Sequence, residues 1–190
     1  MTQLVKKQEQ GIQSLSDKIK TGLVEMKAEK QSVKAQQGTI FLLDCSGSMS
    51  ESVDGRSKIL HLEDVMRDYQ AVRKVGFSDS VFAWQQGIRP AGNTGMALAF
   101  RHLQSQKPEK VVLVSDGCPD NEEDAIHEAV ALHIPVNIVY IGEKGDRGEA
   151  FMQRLATATG GKTFTAETHK PQFVKQLSHA IAGYLPAAGT

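Results

Sequence analysis

Apolar and polar residues alternate along the chain in blocks that predict strands and helices in turn. One block, Ile40-Phe41-Leu42-Leu43, is uninterrupted and ends at Asp44. Such a run is typical of a strand that is buried on both faces of a parallel sheet. Further strands, the second of them a short edge strand, are predicted over residues 80–84, 87–89, 110–115, 135–141 and 162–166.

Helices are predicted between these strands from apolar residues spaced three and four positions apart. The first helix covers residues 59–72, and the second begins at Thr94. Asn121 is the predicted N-cap of the third helix, and Gly160-Gly161 ends the fourth. The last helix covers residues 171–185 and begins at Pro171. Alternation of strands and helices predicts an α/β fold, a doubly wound and mostly parallel sheet with helices on both faces. The predicted domain spans residues 38–185, and residues 186–190 form a tail.

Residues 1–37 have a different composition, rich in Gln, Lys and Glu and without Pro or Cys. Apolar residues recur there every seven positions, at Val5, Ile12, Ile19, Met26 and Val33. A coiled coil needs a second apolar row, and each candidate row holds a single Leu. The pattern therefore predicts an N-terminal helical arm, which either packs on its own domain or docks a partner or a second copy.

Composition excludes several classes of function. The chain is 40% hydrophobic and 23% charged, and 22 basic residues balance 22 acidic ones, so no net charge favours nucleic acid or an anionic membrane. No apolar run has membrane-spanning length and the N-terminus lacks a signal-peptide core, so we expect a soluble cytoplasmic protein. Cys45 and Cys118 are expected to be reduced thiols.

The candidate chemistry begins where the first strand ends. Asp44, Ser46 and Ser48 bring one carboxylate and two hydroxyls to that point, and Gly47 lets the chain turn sharply. Ligands of open α/β sheets bind at the carboxyl ends of strands. Carboxylate and hydroxyl oxygens are hard donors that suit magnesium, manganese or calcium.

This Asp-x-Ser-x-Ser stretch resembles the first motif of the metal-ion-dependent adhesion site of von Willebrand factor A domains. The family's two further positions, a Thr in a Gly-rich loop and an Asp after a later strand, are matched by Thr94 and Asp116. The resemblance implies the Rossmann-like von Willebrand A fold. It also implies a bound divalent cation, Mg²⁺ first and Mn²⁺ or Ca²⁺ as alternatives, with the ligands Asp44, Ser46, Ser48, Thr94 and Asp116.

The function that this resemblance implies is recognition without catalysis. The expected activity is that of an adaptor, in which the metal ligates an Asp or Glu of a partner protein. Small intracellular members of the family work beside AAA+ ATPases of the MoxR type, which are therefore candidate partners. Family members also couple metal ligation to movement of the C-terminal helix, here residues 171–185.

Two alternatives remain open at the level of sequence. A phosphatase or phosphotransferase of the haloacid dehalogenase type would use Asp44 with Asp116 and Asp120, but its first motif requires an acid where this chain has Ser46. A structural protein would use residues 1–37 for self-association, with the metal site vestigial or only stabilising the fold.

Overall fold

The computed structural model describes residues 38–185, which form eight strands and five α-helices. The strands are β1 (Thr39–Asp44), β2 (Ser52–Val53), β3 (Arg56–Ser57), β4 (Arg73–Phe77), β5 (Val81–Ala83), β6 (Lys110–Ser115), β7 (Val136–Gly142) and β8 (Thr163–Glu167). The helices are α1 (Lys58–Met66), α2 (Met96–Gln104), α3 (Glu122–Val130), α4 (Arg147–Thr159) and α5 (Phe173–Gly183). The predicted arm, residues 1–37, and the predicted tail, residues 186–190, lie outside the described residues.

Six strands form one sheet in the order β5-β4-β1-β6-β7-β8. β5 runs antiparallel to β4 and the other pairs are parallel, while β2 and β3 form a separate short hairpin. The prediction of a doubly wound, mostly parallel α/β sheet is therefore confirmed. β1 lies between β4 and β6 in the sheet. The chain passes from β1 to β4 on one side and later adds β6 on the other side of β1. A crevice is expected at the carboxyl ends of strands where the order reverses in this way.

The core is divided by the sheet into two apolar layers. Successive residues of a strand point to opposite faces, so Ile40 and Leu42 lie in one layer and Phe41 and Leu43 in the other. Helices α2, α3 and α4 cover the first layer, and α1 and α5 cover the second. β1 is buried along its whole length, as its unbroken apolar run predicts.

The strand predictions differ from the structure in three places: no strand is predicted over the β2–β3 hairpin, none is predicted over β4, and the strand predicted over 87–89 does not form. In β4, Arg73, Lys74 and Gly76 interrupt the apolar alternation that is typical of a buried strand. Gly76 is needed there because a Cβ atom would lie 2.4 Å from the Phe82 ring of the neighbouring strand. The predicted edge strand over 87–89 is wrong: the Gly87 backbone N–H donates instead to the Glu63 carboxylate of α1.

The predicted helix ends are confirmed in part: α1 ends at Met66 and not at residue 72, and α2 begins at Met96, two residues after Thr94. The predicted cap Asn121 is confirmed, since its side chain accepts hydrogen bonds from the backbone N–H groups of Glu123 and Asp124. Gly160 ends α4 in the left-handed conformation, with φ of 75°. Pro171 precedes α5 rather than beginning it, because the helix starts at Phe173. Between residues 38 and 185, no helix is long and apolar enough to cross a membrane.

Leu42→Ala is expected to lower the free energy of unfolding by about 2–5 kcal/mol, because Leu42 is fully buried in the central strand and its loss leaves a cavity. Urea unfolding of the two proteins measures this difference. Leu98→Ala, at a position that is 42% exposed on α2, is the control and should change stability by less than about 1 kcal/mol. Equal losses in the two variants would contradict this account of the core.

Candidate metal site

Asp44 is the buried acid on which the candidate site is built. It ends β1 with its side chain fully buried. One carboxylate oxygen, Oδ1, accepts the Ser46 backbone N–H at 2.8 Å, and Oδ2 accepts the Ser115 hydroxyl at 2.6 Å. Burial raises the pKa of Asp44 to about 6, although these hydrogen bonds oppose the shift. Ser115 was not predicted as part of the site, even though it directly precedes the predicted ligand Asp116.

The loop after β1 holds the two predicted serine ligands. Residues Gly47–Ser50 form a single 3₁₀ turn, which the fully buried Met49 side chain anchors in the core. The Ser46 and Ser48 hydroxyl oxygens lie 3.1 Å apart. The Ser48 hydroxyl also donates to Oδ1 of Asp116 at 2.7 Å. The loop thus connects Asp44 to the carboxyl end of β6.

The loop that carries Thr94 lies against the first one. Gly47 N–H donates to the Gly92 carbonyl at 3.0 Å, and Ala91 N–H donates to the Cys45 carbonyl at 3.0 Å. Thr94 itself is only 8% exposed. Within residues 38–185, its hydroxyl makes no hydrogen bond to the other four predicted ligands. The backbone therefore places Thr94 near the site without a direct link between side chains.

A glycine is required in this second loop. Gly92 has φ of 78°, and a Cβ atom there would lie 1.9 Å from Oδ2 of Asp79. The other oxygen of Asp79 accepts the Asn93 backbone N–H at 3.0 Å. The absence of a side chain at Gly92 lets this carboxylate fix the loop just before Thr94.

Asp116 has a cationic partner that sequence reasoning missed. The Lys58 ammonium lies 2.7 Å from Oδ2 of Asp116 and 2.6 Å from Oε2 of Glu51. Burial lowers the pKa of Lys58, but the hydrogen bonds to Asp116 and Glu51 outweigh it, so the pKa lies above its ordinary value. No short sequence spacing signals this contact, because Lys58 and Asp116 are 58 positions apart.

An open cleft of about 460 Å³ adjoins these groups. Lys58 and Asp116 line it, together with acidic residues from neighbouring loops: Glu51, Asp54, Glu143 and Asp146. Of the five predicted ligands, Asp116 lines this cleft, so the cleft meets the predicted site at Asp116.

The side chains present fit a hard divalent cation. An ionised carboxylate can accept about four hydrogen bonds, and each oxygen of Asp44 and Asp116 accepts one from the groups described above. Lone pairs therefore remain on both acids for a metal or its water. No group of three or more His, Cys, Asp and Glu side chains with metal-site geometry occurs in residues 38–185, so a metal bound here would depend on the hydroxyls of Ser46, Ser48 and Thr94 as well as on the two acids.

Solved structures resemble this fold at low sequence identity. The manganese-loaded TRAP protein of Plasmodium vivax matches with a TM-score of 0.52 and 16% identity, covering 77% of this chain and 74% of that one. A von Willebrand factor type A structure from Catenulispora acidiphila matches with a TM-score of 0.55 and 15% identity, covering 78% of this chain but only 43% of that one. No family model and no curated protein matches the sequence. The comparisons establish a von Willebrand A-type α/β fold.

Asp44→Asn is expected to stabilise the metal-free protein in a pH-dependent way. Between the ordinary pKa of 3.8 and the folded-state pKa of about 6, the folded protein holds more protons than the unfolded chain, so wild-type stability falls as pH rises. Above pH 7, the raised pKa of Asp44 lowers the free energy of unfolding of the wild type by about 3 kcal/mol, relative to a protein in which this pKa is not shifted. In chelator, urea unfolding should therefore show Asp44→Asn about equal to wild type at pH 4 and more stable at pH 8. A pH-independent difference would contradict the buried, ionised Asp44.

Proposed function

We propose that this chain is a protein-binding module that recognises a carboxylate of its partner through a divalent cation held by Asp44, Ser46, Ser48, Thr94 and Asp116. The observation that carries the proposal is the continuous set of hydrogen bonds from Asp44 through Ser46 and Ser48 to Asp116, at the carboxyl edge of the sheet and beside an open cleft.

The donor set explains why the site would bind an outside acid. A divalent cation bound there would supply an electrophilic centre, since two carboxylates only neutralise it and the hydroxyls add no formal charge. Mg²⁺ is the expected metal because it prefers octahedral oxygen coordination and keeps some of its waters. The fold shared with the manganese-loaded TRAP protein supports a divalent ion of this class.

The groups at the site favour recognition over catalysis. Asp44, the nucleophile that a phosphotransferase would need, is fully buried, and both of its oxygens accept hydrogen bonds. Burial raises the pKa of the Cys45 thiol to about 12, so it stays protonated and is not a nucleophile at neutral pH. Asp120, the third acid of the phosphatase alternative, is exposed in the loop before α3.

The partner that fits this site is a protein that presents an Asp or Glu side chain at its surface. The resemblance to small intracellular von Willebrand A proteins makes a MoxR-type AAA+ ATPase system a candidate partner, acting with this module in the cytoplasm. Self-association through residues 1–37 concerns residues outside the described range and stays a prediction.

Mg²⁺ or Mn²⁺ at about one hundred times its dissociation constant is expected to stabilise the wild type by about 2.7 kcal/mol, because it binds only the folded state. Differential scanning calorimetry measures the rise in Tm, about 5–10 °C for a chain of this size. Asp116→Asn should lose the effect, because it removes a ligand. Asp120→Asn, an exposed acid in the next loop, should keep it.

The same variants test recognition. Capture of a partner from the native host should occur with Mg²⁺, fail with chelator and fail with Asp116→Asn, while Asp120→Asn behaves as wild type. Partner capture that is indifferent to chelator and to Asp116→Asn would refute the metal-dependent mechanism. Hydrolysis of an aryl phosphate that disappears in Asp44→Asn would instead support the phosphotransferase.

A further inference from the structure

We propose that Lys58 is a second recognition group for the partner's carboxylate, and that Glu51 holds the Lys58 ammonium until that carboxylate displaces it. The inference rests on the proposed function, since it concerns the same site. It assigns a specificity role to two residues that no motif singles out, and it makes the site one that binds a carboxylate through two cations.

Lys58 is held in place by its own backbone. β2 and β3 pair Ser52 with Ser57, and Lys58 N–H donates to the Glu51 carbonyl at 2.9 Å. The hairpin therefore fixes the start of α1 beside the loop that carries Ser46 and Ser48. A cation in the first turn of a helix is disfavoured by the helix dipole, so the ammonium does not serve the helix itself. Its contacts are instead the carboxylates of Asp116 and Glu51.

The two carboxylates that contact Lys58 differ in burial. The Asp116 side chain is fully buried, whereas the Glu51 side chain is 65% exposed. An exposed carboxylate keeps most of its hydration and contributes little through an ion pair, so its replacement costs little. A buried carboxylate that lost its cation would be left without compensation. Lys58 is thus expected to keep its ion pair with Asp116 and to exchange its ion pair with Glu51 for one with a carboxylate of the partner.

The charges at the site and its geometry favour this exchange, against the repulsion of Asp54, Glu143 and Asp146, which line the same cleft. Asp44, Asp116, Lys58 and a divalent cation together carry one net positive charge, which a single carboxylate balances. Glu51 provides that carboxylate from within the chain, and a partner would provide it from outside. An ammonium has three N–H donors, and the contacts with Asp116 and Glu51 use two of them. Lys58, Glu51 and Asp116 all line the cleft, so the exchange can take place at its surface.

The experiment measures metal binding and carboxylate binding separately on the full chain. Free Mn²⁺ is followed by its paramagnetic resonance signal, which gives the Mn²⁺ affinity. Acetate is then titrated into the Mn²⁺-loaded protein, and displacement of metal-bound water is followed through water-proton relaxation. The variants are Lys58→Met and Glu51→Gln. Their charge-matched controls are Lys162→Met, exposed just before β8, and Glu109→Gln, just before β6, both at the opposite edge of the sheet.

Lys58→Met is expected to weaken acetate binding about tenfold, because the second cation is lost, and to tighten Mn²⁺ binding about threefold, because Asp116 is freed and a repelling charge is removed. Glu51→Gln should tighten acetate binding about threefold, because the internal competitor is gone. Both controls should stay within about twofold of wild type. A merely structural role for Lys58 would weaken both affinities together.

The possible results support or overturn the inference about Lys58 and Glu51 as follows. Acetate affinities that match wild type in both variants, or a joint loss of both affinities in Lys58→Met, would overturn the inference while leaving metal-dependent recognition intact. A wild type that binds no Mn²⁺ would overturn both proposals. If circular dichroism shows Lys58→Met to be unfolded, Glu51→Gln decides alone. A capped peptide with one Glu and a peptide whose only carboxylate is its C-terminus distinguish side-chain from terminal recognition.

Discussion

The constraint on which this structure depends is the burial of two carboxylates at the end of a parallel sheet. A buried charge is tolerated only when hydrogen bonds or opposite charges compensate it. Asp44 has hydrogen-bond donors at both oxygens, and burial still raises its pKa to about 6. Asp116 has the Ser48 hydroxyl and the Lys58 ammonium. The proposed metal-binding role rests on the hydrogen bonds that connect these two acids through Ser46 and Ser48.

The sheet brings the two acids together. β1 pairs in parallel with β6, and Leu43 lies opposite Val114, so Asp44 and the residues after Val114 emerge at the same edge. The hydrogen bond between Asp44 and Ser115 is a direct result of this register. Loops that would otherwise be independent are then tied to that edge by backbone contacts such as Gly47 to Gly92. The fold thus determines which side chains meet, and the hairpin that begins at Ser52 adds Lys58 to them.

The sequence predicted correctly those features that depend on residues close together in the chain. The apolar run of β1, its abrupt end at Asp44 and the Asn121 cap are all readable from neighbouring residues. It was less informative where a contact partner is distant. β4 was missed because Gly76 is explained only by the Phe82 ring across the sheet, and the strand predicted over 87–89 failed because Glu63 of α1 binds its backbone. The Lys58–Asp116 pair likewise joins segments that no short pattern connects.

The central claim is that one divalent cation binds among these oxygens and leaves a position for an outside carboxylate. Anomalous scattering from crystals grown with Mn²⁺ and acetate tests it most directly. The account predicts one strong peak within about 2.6 Å of the Ser46 and Ser48 hydroxyl oxygens, with an acetate oxygen at the metal. A map with no peak there, and with the Lys58 ammonium lying between Asp44 and Asp116 instead, would contradict it.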